Sequence, residues 1–266
     1  MTETTTLTEA APTTHAVFAD GVLELTLSYP RRRNALALEL RAALATHLER
    51  GMVDPECRAI ILTGGGEHFS AGGDISGMAG VVGIQGRQRM LAGHHLVRLL
   101  VEGETPVIAA VEGHAAGAGL SLAAACDIVV AARDAVFTCS FNRIGLVPDL
   151  GIAWTLSRRM GFGQAKLLML LGRPVTASEA ERLGIVDRLV EPGGTLQEAR
   201  SVAREIATKA PLSNAMAKTL LNRASGTLGE LLAAEADAQG LLFQTEDFAE
   251  GRTAFMEKRQ PRFAGR

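Results

Sequence analysis

Two glycine-rich stretches and one aspartate are the parts of this sequence that could contribute to catalysis. Ala71-Gly-Gly-Asp74 and Gly113-His-Ala-Ala-Gly-Ala-Gly119 each form glycine turns, and the second leads into an Ala-rich stretch expected to be a helix. Backbone N–H groups at such turns and at helix N-termini donate to developing negative charge without titrating. Asp149 could move a proton if an apolar pocket raised its pKa. Its candidate apolar neighbours are Phe141, Leu146 and Trp154.

Asp149 also has a purely structural interpretation. Because it follows a proline, its side chain could cap the N-terminus of a helix, and this role could coexist with proton transfer.

Other reactive side chains lack the patterns that catalysis or metal binding needs. Ser121 has no Gly-x-Ser-x-Gly turn and no assigned His or Asp partner, so a nucleophilic serine is not predicted. Three cysteines without C-x-x-C spacing indicate neither a disulfide framework nor a zinc site, and buried inert thiols are expected at Cys57, Cys126 and Cys139. No metal is therefore expected. His94 and His95 are predicted on an exposed helix face, and His114 in a turn.

Composition limits the class of protein. The chain has 266 residues, with 47% hydrophobic and 21% charged residues, which fits a soluble globular domain with a real core. A formal net charge of −2 gives no basic field for nucleic acid or an anionic membrane. No apolar run reaches the roughly 18 to 20 residues that span a bilayer, and the N-terminus lacks a signal-peptide pattern. A cytoplasmic protein is expected.

Strands and helices are predicted to alternate along the chain. Asp20-Gly21 predicts the turn of an opening hairpin, after which apolar residues at helical spacing predict a helix that reaches Gly51. Short apolar strands are expected at 59–63, 106–111 and 128–131, which favours an α/β core with buried sheets. Residues 76–88 are predicted to form a mobile loop before a helix that reaches Leu100. Thr176 and Glu179 predict a capping box, after which helices dominate.

Six blocks of sequence together resemble the crotonase (enoyl-CoA hydratase/isomerase) superfamily, over about residues 15–263. They are Arg33-Asn-Ala-Leu36, Glu67-His-Phe-Ser-Ala-Gly-Gly-Asp-Ile75, the stretch 107–128, Gly145-Leu-Val-Pro-Asp149, Ala180-Glu-Arg-Leu-Gly-Ile-Val-Asp187 and Ala254-Phe-Met-Glu-Lys-Arg-Gln-Pro-Arg-Phe263. The resemblance implies a spiral of β-β-α units with two roughly perpendicular sheets. It also implies a spiral core (15–205) and a helical trimerisation region (206–266), and the composition of residues 1–14 predicts a disordered N-terminal tail before them. A homotrimer or a dimer of trimers is expected.

The resemblance also implies which residues bind and activate a substrate. It assigns the two N–H groups that hold a thioester enolate to Gly73 and Ala118. The family often has glycine where Ala118 stands, so this assignment needs a negative φ there. Coenzyme A is expected as part of an acyl-CoA substrate, with no fixed cofactor. The positions matched to CoA and acyl binding are Arg33, Ala35, Leu36, Ala71, Asp74, Ile75, Gly117, Ser121, Phe141 and Leu146, together with Phe255 and Lys258 from a neighbouring subunit.

The catalytic positions depart from the hydratase pattern. Hydratases that this chain resembles use two glutamates to hold and deprotonate water, and those positions here are Ser121 and Phe141. Asp149 instead matches the aspartate of enoyl-CoA isomerases of the phenylacetate-pathway type. The sequence therefore predicts an enzyme that shifts a double bond in an enoyl-CoA, with Asp149 moving a proton from carbon 2 to carbon 4 of the stabilised thioester enolate.

Three alternatives stay open at this point. One is an enoyl-CoA hydratase (lyase) in which Asp149 and Ser121 orient the water. A second is a non-catalytic member that binds acyl-CoA or RNA, although the near-neutral charge argues against RNA. The third is an aryl-CoA dehalogenase, because Asp149 also matches the nucleophile of that class and His94 its activating histidine. Phe141, however, replaces the tryptophan that such an enzyme needs.

Overall fold

The computed structural model describes residues 11–223 and 226–266. The strands of this part of the chain are β1 (Thr13–Ala19), β2 (Val22–Ser28), β3 (Ala59–Gly64), β4 (Val107–Val111), β5 (His114–Ala116), β6 (Ile128–Ala132), β7 (Val136–Thr138), β8 (Pro174–Thr176) and β9 (Arg188–Val190). The larger sheet has the order β1-β2-β3-β4-β6-β9, and the smaller has the order β5-β7-β8. Only β1 of the larger sheet runs antiparallel to its neighbour, and β8 does so in the smaller one.

Helices alternate with these strands and then dominate the C-terminal part. They are α1 (Leu38–Val53), α2 (Gly83–Glu102), α3 (Ala118–Ala125), α4 (Ile152–Met160), α5 (Phe162–Leu171), α6 (Ala177–Arg182), α7 (Thr195–Ala207), α8 (Pro211–Arg223), α9 (Leu228–Leu242) and α10 (Glu246–Glu257). Short 3-10 helices lie at Pro30–Arg32, Ile75–Met78 and Phe141–Ile144. The expected α/β class and helical C-terminal region are confirmed.

The core forms on both sides of the larger sheet. Strands β3, β4 and β6 are apolar along their length and buried almost throughout, which is typical of parallel strands covered on both faces. Alternate residues face opposite sides, so that Ile60 and Leu62 join the main core, whereas Ile61 faces α7. Helix α3 is buried at every position, which its small and apolar residues allow, with Ser121 as its one polar side chain.

A buried ion pair attaches α8 to the core. The carboxylate of Asp127 accepts a hydrogen bond from the N–H of Val107 (2.7 Å) and pairs with Nζ of Lys218 (2.8 Å). The same Nζ donates to the carbonyl of Thr105 at 3.0 Å. Burial raises the pKa of Asp127, and Lys218 opposes this shift.

Three boundaries differ from the expectations. Thr13 and Thr14 pair with Ser28 and Leu27, so strand β1 begins inside the stretch 1–14 expected to be a tail; residues 1–10 lie outside the described part. The boundary expected between the spiral core and the helical region, after residue 205, falls within α7. Because α7 packs on the larger sheet, the helical region begins instead with α8 at Pro211. Helix α2 begins at Gly83, so about half of the residues predicted to form the loop at 76–88 are helical.

Each helix in the described part of the chain is too short or too polar to span a membrane.

Candidate active site

Asn34 joins two of the loops that carry the candidate residues. It is fully buried, and its amide group donates to the carbonyls of Gly65 (2.9 Å) and His68 (2.7 Å). Its Oδ1 accepts from the N–H of Tyr29 at 2.9 Å. The hydrogen bonds of the Asn34 side chain therefore connect the loop at 29–36 to the loop at 65–70.

Ser70 extends this connection to the smaller sheet. Its Oγ donates to the carbonyl of Asn34 (2.7 Å), and its backbone exchanges hydrogen bonds with His114 and Ala116 at 3.0 Å each. The N–H of Leu36 donates to the carbonyl of Gly72 at 2.7 Å. The three segments 33–36, 70–74 and 114–118 consequently lie side by side.

Two glycines bring the candidate oxyanion donors together. Gly72 has a φ of 106°, and a Cβ on it would lie 2.7 Å from the carbonyl oxygen of Ala116 and 3.5 Å from the nitrogen of Ala118. Gly117 has φ 49° and ψ −121°, a region that is essentially open only to glycine, and it is the N-cap residue of α3. Neither position tolerates a larger residue without a change in the turn.

The N–H groups of Gly73 and Ala118 are both available to a ligand. Ala118 is the first residue of α3, where an N–H has no acceptor within the helix. Its φ is not positive, which meets the condition set by the sequence. Gly73 pairs with Leu36 in a parallel bridge that uses the Gly72 carbonyl, so its own N–H points away from Leu36. No backbone carbonyl among the described residues accepts from either group.

Asp149 lies in an unusual turn and is partly buried. Leu150 (φ 51°) and Gly151 (φ 71°) follow it, both in the left-handed region, and the side chain of Leu150 is buried. A bulky residue with this φ is rare and marks a constrained turn. Helix α4 starts only at Ile152 with Gly151 as its N-cap, and Asp149 contributes its carbonyl rather than its side chain. The predicted side-chain cap at Asp149 is therefore wrong.

The carboxylate of Asp149 has the electrostatic properties of a proton acceptor. Its Oδ1 is fully buried, and no donor among the described residues reaches it. Burial raises the pKa of Asp149, while the charges of Arg41 and His94 lower it. A partly buried carboxylate with a raised pKa and an oxygen that has no hydrogen-bond donor is suited to accept and return a proton.

The three apolar residues expected near Asp149 lie in different environments. Phe141 is buried, and its Cζ lies 4.0 Å from where a Cβ on Gly117 would stand, so it borders the oxyanion turn. Leu146 is 46% exposed in the single chain. Trp154 stacks with Arg158, whose Cζ is 3.6 Å from the ring centroid, and it lines a cavity of about 590 Å³ with Asp127 and Lys218. Of the three, Phe141 has the clearest position at the site.

Ser121 is fully buried one helical turn into α3. Its Oγ donates to the carbonyl of Gly117 at 3.3 Å, an i to i−4 hydrogen bond within the same turn. Its hydroxyl proton is therefore directed at the backbone.

The candidate CoA-binding residues fall into three groups. The backbone of Arg33 accepts from the N–H of Ala71 at 2.8 Å, while its side chain is exposed, and Ala35 and Leu36 beside it are buried. The carboxylate of Asp74 accepts from the N–H and Oγ of Ser76 and caps the 3-10 helix at Ile75–Met78, and these bonds lower the pKa of Asp74. Ile75 is exposed at the rim, and exposed Phe255 and Lys258 lie on and just after α10.

Several other reactive side chains have a clear environment. His94 is exposed on α2 yet near enough to influence Asp149, and His95 pairs with Glu49 at 2.6 Å. Burial, followed by the charge of Asp149, raises the pKa of the Cys139 thiol to about 11, so this cysteine is inert at neutral pH. No group of three metal-ligating side chains is found among the described residues.

Sequence reasoning missed one buried charge at the site, Arg41. It occupies α1 with only 8% exposure and was not singled out, although it stands three residues before Leu44 and seven before Leu48. A charged residue on the apolar face of a helix is the signal that could have found it. Asn34 lies within the block Arg33-Asn-Ala-Leu36, but nothing in its residue type indicates that it connects two loops.

Comparisons with known proteins identify the family. The family described as Enoyl-CoA hydratase/isomerase matches residues 18–266. The 1,2-epoxyphenylacetyl-CoA isomerase of Escherichia coli is 37% identical over 254 residues, which is 92% of this chain and 96% of that protein. The short-chain-enoyl-CoA hydratase of Clostridium acetobutylicum is 37% identical over 241 residues, covering 90% and 92%. The crystal structure of an enoyl-CoA hydratase from Polaromonas sp. JS666 superposes with a TM-score of 0.90 at 37% identity, covering 94% and 99%.

Proposed function

Because this chain belongs to the enoyl-CoA hydratase/isomerase family, we propose that it shifts a double bond in an enoyl-CoA by proton transfer through Asp149. The observation that carries the proposal is the buried, unpartnered carboxylate oxygen of Asp149. The family has members named as isomerases and members named as hydratases, so the reaction has to be argued from the residues at the site.

The proposed reaction needs one carboxylate and two N–H donors. The thioester oxygen of a 3-enoyl-CoA accepts hydrogen bonds from the N–H groups of Gly73 and Ala118. Asp149 removes a proton from carbon 2, and the negative charge moves to that oxygen, where fixed donors stabilise it. The same carboxyl group returns the proton to carbon 4, which leaves the double bond between carbons 2 and 3.

Hydration is the second candidate, because relatives named as hydratases match this chain as well as the isomerase does. Two features favour isomerisation over it. Ser121 and Phe141 stand at the positions where the resemblance to hydratases implies the glutamates that activate water. The Ser121 hydroxyl also donates to the Gly117 carbonyl, so orienting a water would require it to break that bond.

We also propose that the protein assembles as a homotrimer or a dimer of trimers. The C-terminal helices expose large apolar side chains in the single chain, which a second copy would cover. They include Leu228, Leu232, Leu241, Phe243, Phe255 and Met256. Phe255 and Lys258 would then reach the acyl-CoA of a neighbouring subunit, with coenzyme A entering only as part of the substrate. Light scattering of the purified protein gives the number of copies directly.

The test of the proposed reaction is a pair of substrates. Purified protein is incubated separately with 3-hexenoyl-CoA and crotonyl-CoA, and the ultraviolet absorbance of the conjugated enoyl thioester is followed. Isomerisation raises the absorbance with 3-hexenoyl-CoA, whereas hydration lowers it with crotonyl-CoA. A loss with crotonyl-CoA and no gain with 3-hexenoyl-CoA would contradict the proposal and favour the hydratase.

No change in absorbance with either thioester would favour a substrate with a different acyl group or a non-catalytic binding role. Release of chloride from 4-chlorobenzoyl-CoA tests the aryl-CoA alternative. Retention of RNA by the protein at low salt tests RNA binding, which the net charge of −2 disfavours.

A further inference from the structure

Arg41 is a buried charge beside the candidate site. It lies on α1 with 8% exposure, and its Nε donates to the carbonyl of Leu36 at 3.0 Å. Among the described residues, this is the only hydrogen bond of the Arg41 side chain, so both Nη groups keep their donors. Charged side chains inside proteins are normally paired and fully hydrogen-bonded. The two Nη atoms of Arg41 are not fully enclosed, so their four N–H donors remain accessible to water or to a ligand at the site, and an accessible guanidinium on an otherwise buried side chain indicates a function.

Two glycines leave room for the guanidinium group. Its Nη2 atom lies 3.6 Å from where a Cβ on Gly73 would stand, and its Nη1 atom lies 3.5 Å from the corresponding point on Gly93. Gly73 carries one of the candidate oxyanion N–H groups. A Cβ on Gly93 would also come within 2.8 Å of Leu150, the residue that follows Asp149. The guanidinium consequently sits between the oxyanion turn and the turn of Asp149.

The charged and titratable groups around Asp149 come from three parts of the chain. Arg41 on α1 and His94 on α2 both lower the pKa of Asp149, and Arg41 has the larger effect of the two. The thiol of Cys139, after β7, is close enough for Asp149 to raise its pKa. Arg41 differs from His94 in two respects: it is buried, and its guanidinium stays protonated around neutral pH even though burial lowers the pKa of Arg41. It is the fixed positive charge of this group.

Resting on the proposed function, we propose that Arg41 is a positioning residue whose charge acts on both ends of the proton transfer. Before the transfer it stabilises the carboxylate of Asp149, and afterwards it stabilises the thioester enolate at Gly73. Proton removal moves one negative charge from Asp149 to the thioester oxygen. The guanidinium lies between Asp149 and the oxyanion turn at Gly73. The negative charge therefore stays near the guanidinium during the proton transfer, and the enolate intermediate keeps most of the stabilisation that the carboxylate had.

The first test is the pH dependence of isomerisation by Arg41→Gln, which removes the charge but keeps a donor for the Leu36 carbonyl. With 3-hexenoyl-CoA, kcat/KM is expected to fall about tenfold or more on the acid side, because the carboxylate has lost a nearby positive charge that favours its ionised form. The deficit should shrink as the pH rises and Asp149 ionises again. Arg41→Lys, which keeps the charge, should retain the acid-side rate. A loss that is equal at all pH values in Arg41→Gln would overturn the proposal.

The matched control is Arg50→Gln on the same helix, where the arginine is exposed near the last turn. It should have the pH profile of the unchanged protein. An equal acid-side loss in this control would mean that a general change of net charge, rather than Arg41, causes the effect.

The second test does not depend on any reaction. Aspartate carboxyl carbons are labelled with ¹³C, and the Asp149 resonance is identified by its absence in Asp149→Asn. The titration midpoint of Asp149 should move to higher pH in Arg41→Gln and stay nearly unchanged in Arg50→Gln. An unchanged midpoint in folded Arg41→Gln would overturn the proposal even if isomerisation were established. If Arg41→Gln does not fold, Arg41→Met gives a second uncharged variant for the same measurement.

A lack of isomerase activity together with a moved midpoint would separate the two proposals. The proposed function would then have failed, while the electrostatic link between Arg41 and Asp149 would stand.

Discussion

Replacing Asn34 tests whether one side chain holds the substrate loops together. Asn34→Ala removes three hydrogen bonds, to Tyr29, Gly65 and His68, each with a distance between 2.7 and 2.9 Å. Hydrogen bonds of this kind contribute about 0.5–1.5 kcal/mol each, and the backbone groups left behind lose their partners. Asn34 also has a φ of 56°, where alanine costs about 1–2 kcal/mol more. The free energy of unfolding should therefore fall by roughly 3–5 kcal/mol.

Urea unfolding of Asn34→Ala and Asn34→Gly separates the two contributions. Glycine tolerates the positive φ, so Asn34→Gly should show the hydrogen-bond loss without the backbone strain. The exposed Asn142, which donates to the carbonyl of Leu170 at 2.8 Å, is the matched control, and Asn142→Ala should lose only about 1 kcal/mol. KM for the acyl-CoA should rise in the Asn34 variants, because the loops carry candidate binding positions. A loss below about 1 kcal/mol in Asn34→Gly would refute the reasoning.

Three further substitutions have defined outcomes. Gly117→Ala should lower kcat about 10²–10³-fold by turning the Ala118 N–H away, a result that steady-state kinetics checks. Lys218→Met should cost about 3–5 kcal/mol in urea unfolding because it leaves Asp127 buried without its partner, and adding Asp127→Asn should restore part of it. Asp149→Asn should raise the melting temperature at neutral pH, with the gain fading on acidification, since burial raises the pKa of Asp149 in the folded state and makes its ionised form destabilising.

Strong local patterns allowed much of the fold to be predicted. The hairpin followed from Asp20-Gly21, whose φ values of 51° and 75° fit a two-residue turn, and the apolar runs of β3, β4 and β6 predicted buried strands. The start of α2 could not be predicted, because Gly83 and Gly86 have poor helix propensity. The side chain of Gln85 compensates by accepting the N–H of Val82 at 3.2 Å, a contact that composition does not reveal.

The sequence predicted the backbone turns of the site but not the charges and burial around Asp149. The glycines at 72 and 117 indicated turns, and the structure places the N–H groups of Gly73 and Ala118 beside them. The environment of Asp149 depends on Leu150 adopting a positive φ, which no leucine signals in a sequence. The apposition of Arg41 and Asp149 joins residues more than a hundred positions apart, so only tertiary structure could reveal it.

The most direct measurement is the rate at which Asp149→Asn converts 3-hexenoyl-CoA into the conjugated thioester. The account predicts a fall in kcat of about 10²–10⁴-fold, because the asparagine cannot carry a proton between carbons 2 and 4. Asp134→Asn, which changes an exposed aspartate, controls for the loss of one negative charge and should behave as the unchanged protein. Isomerisation by Asp149→Asn at the rate of that control would contradict the central claim.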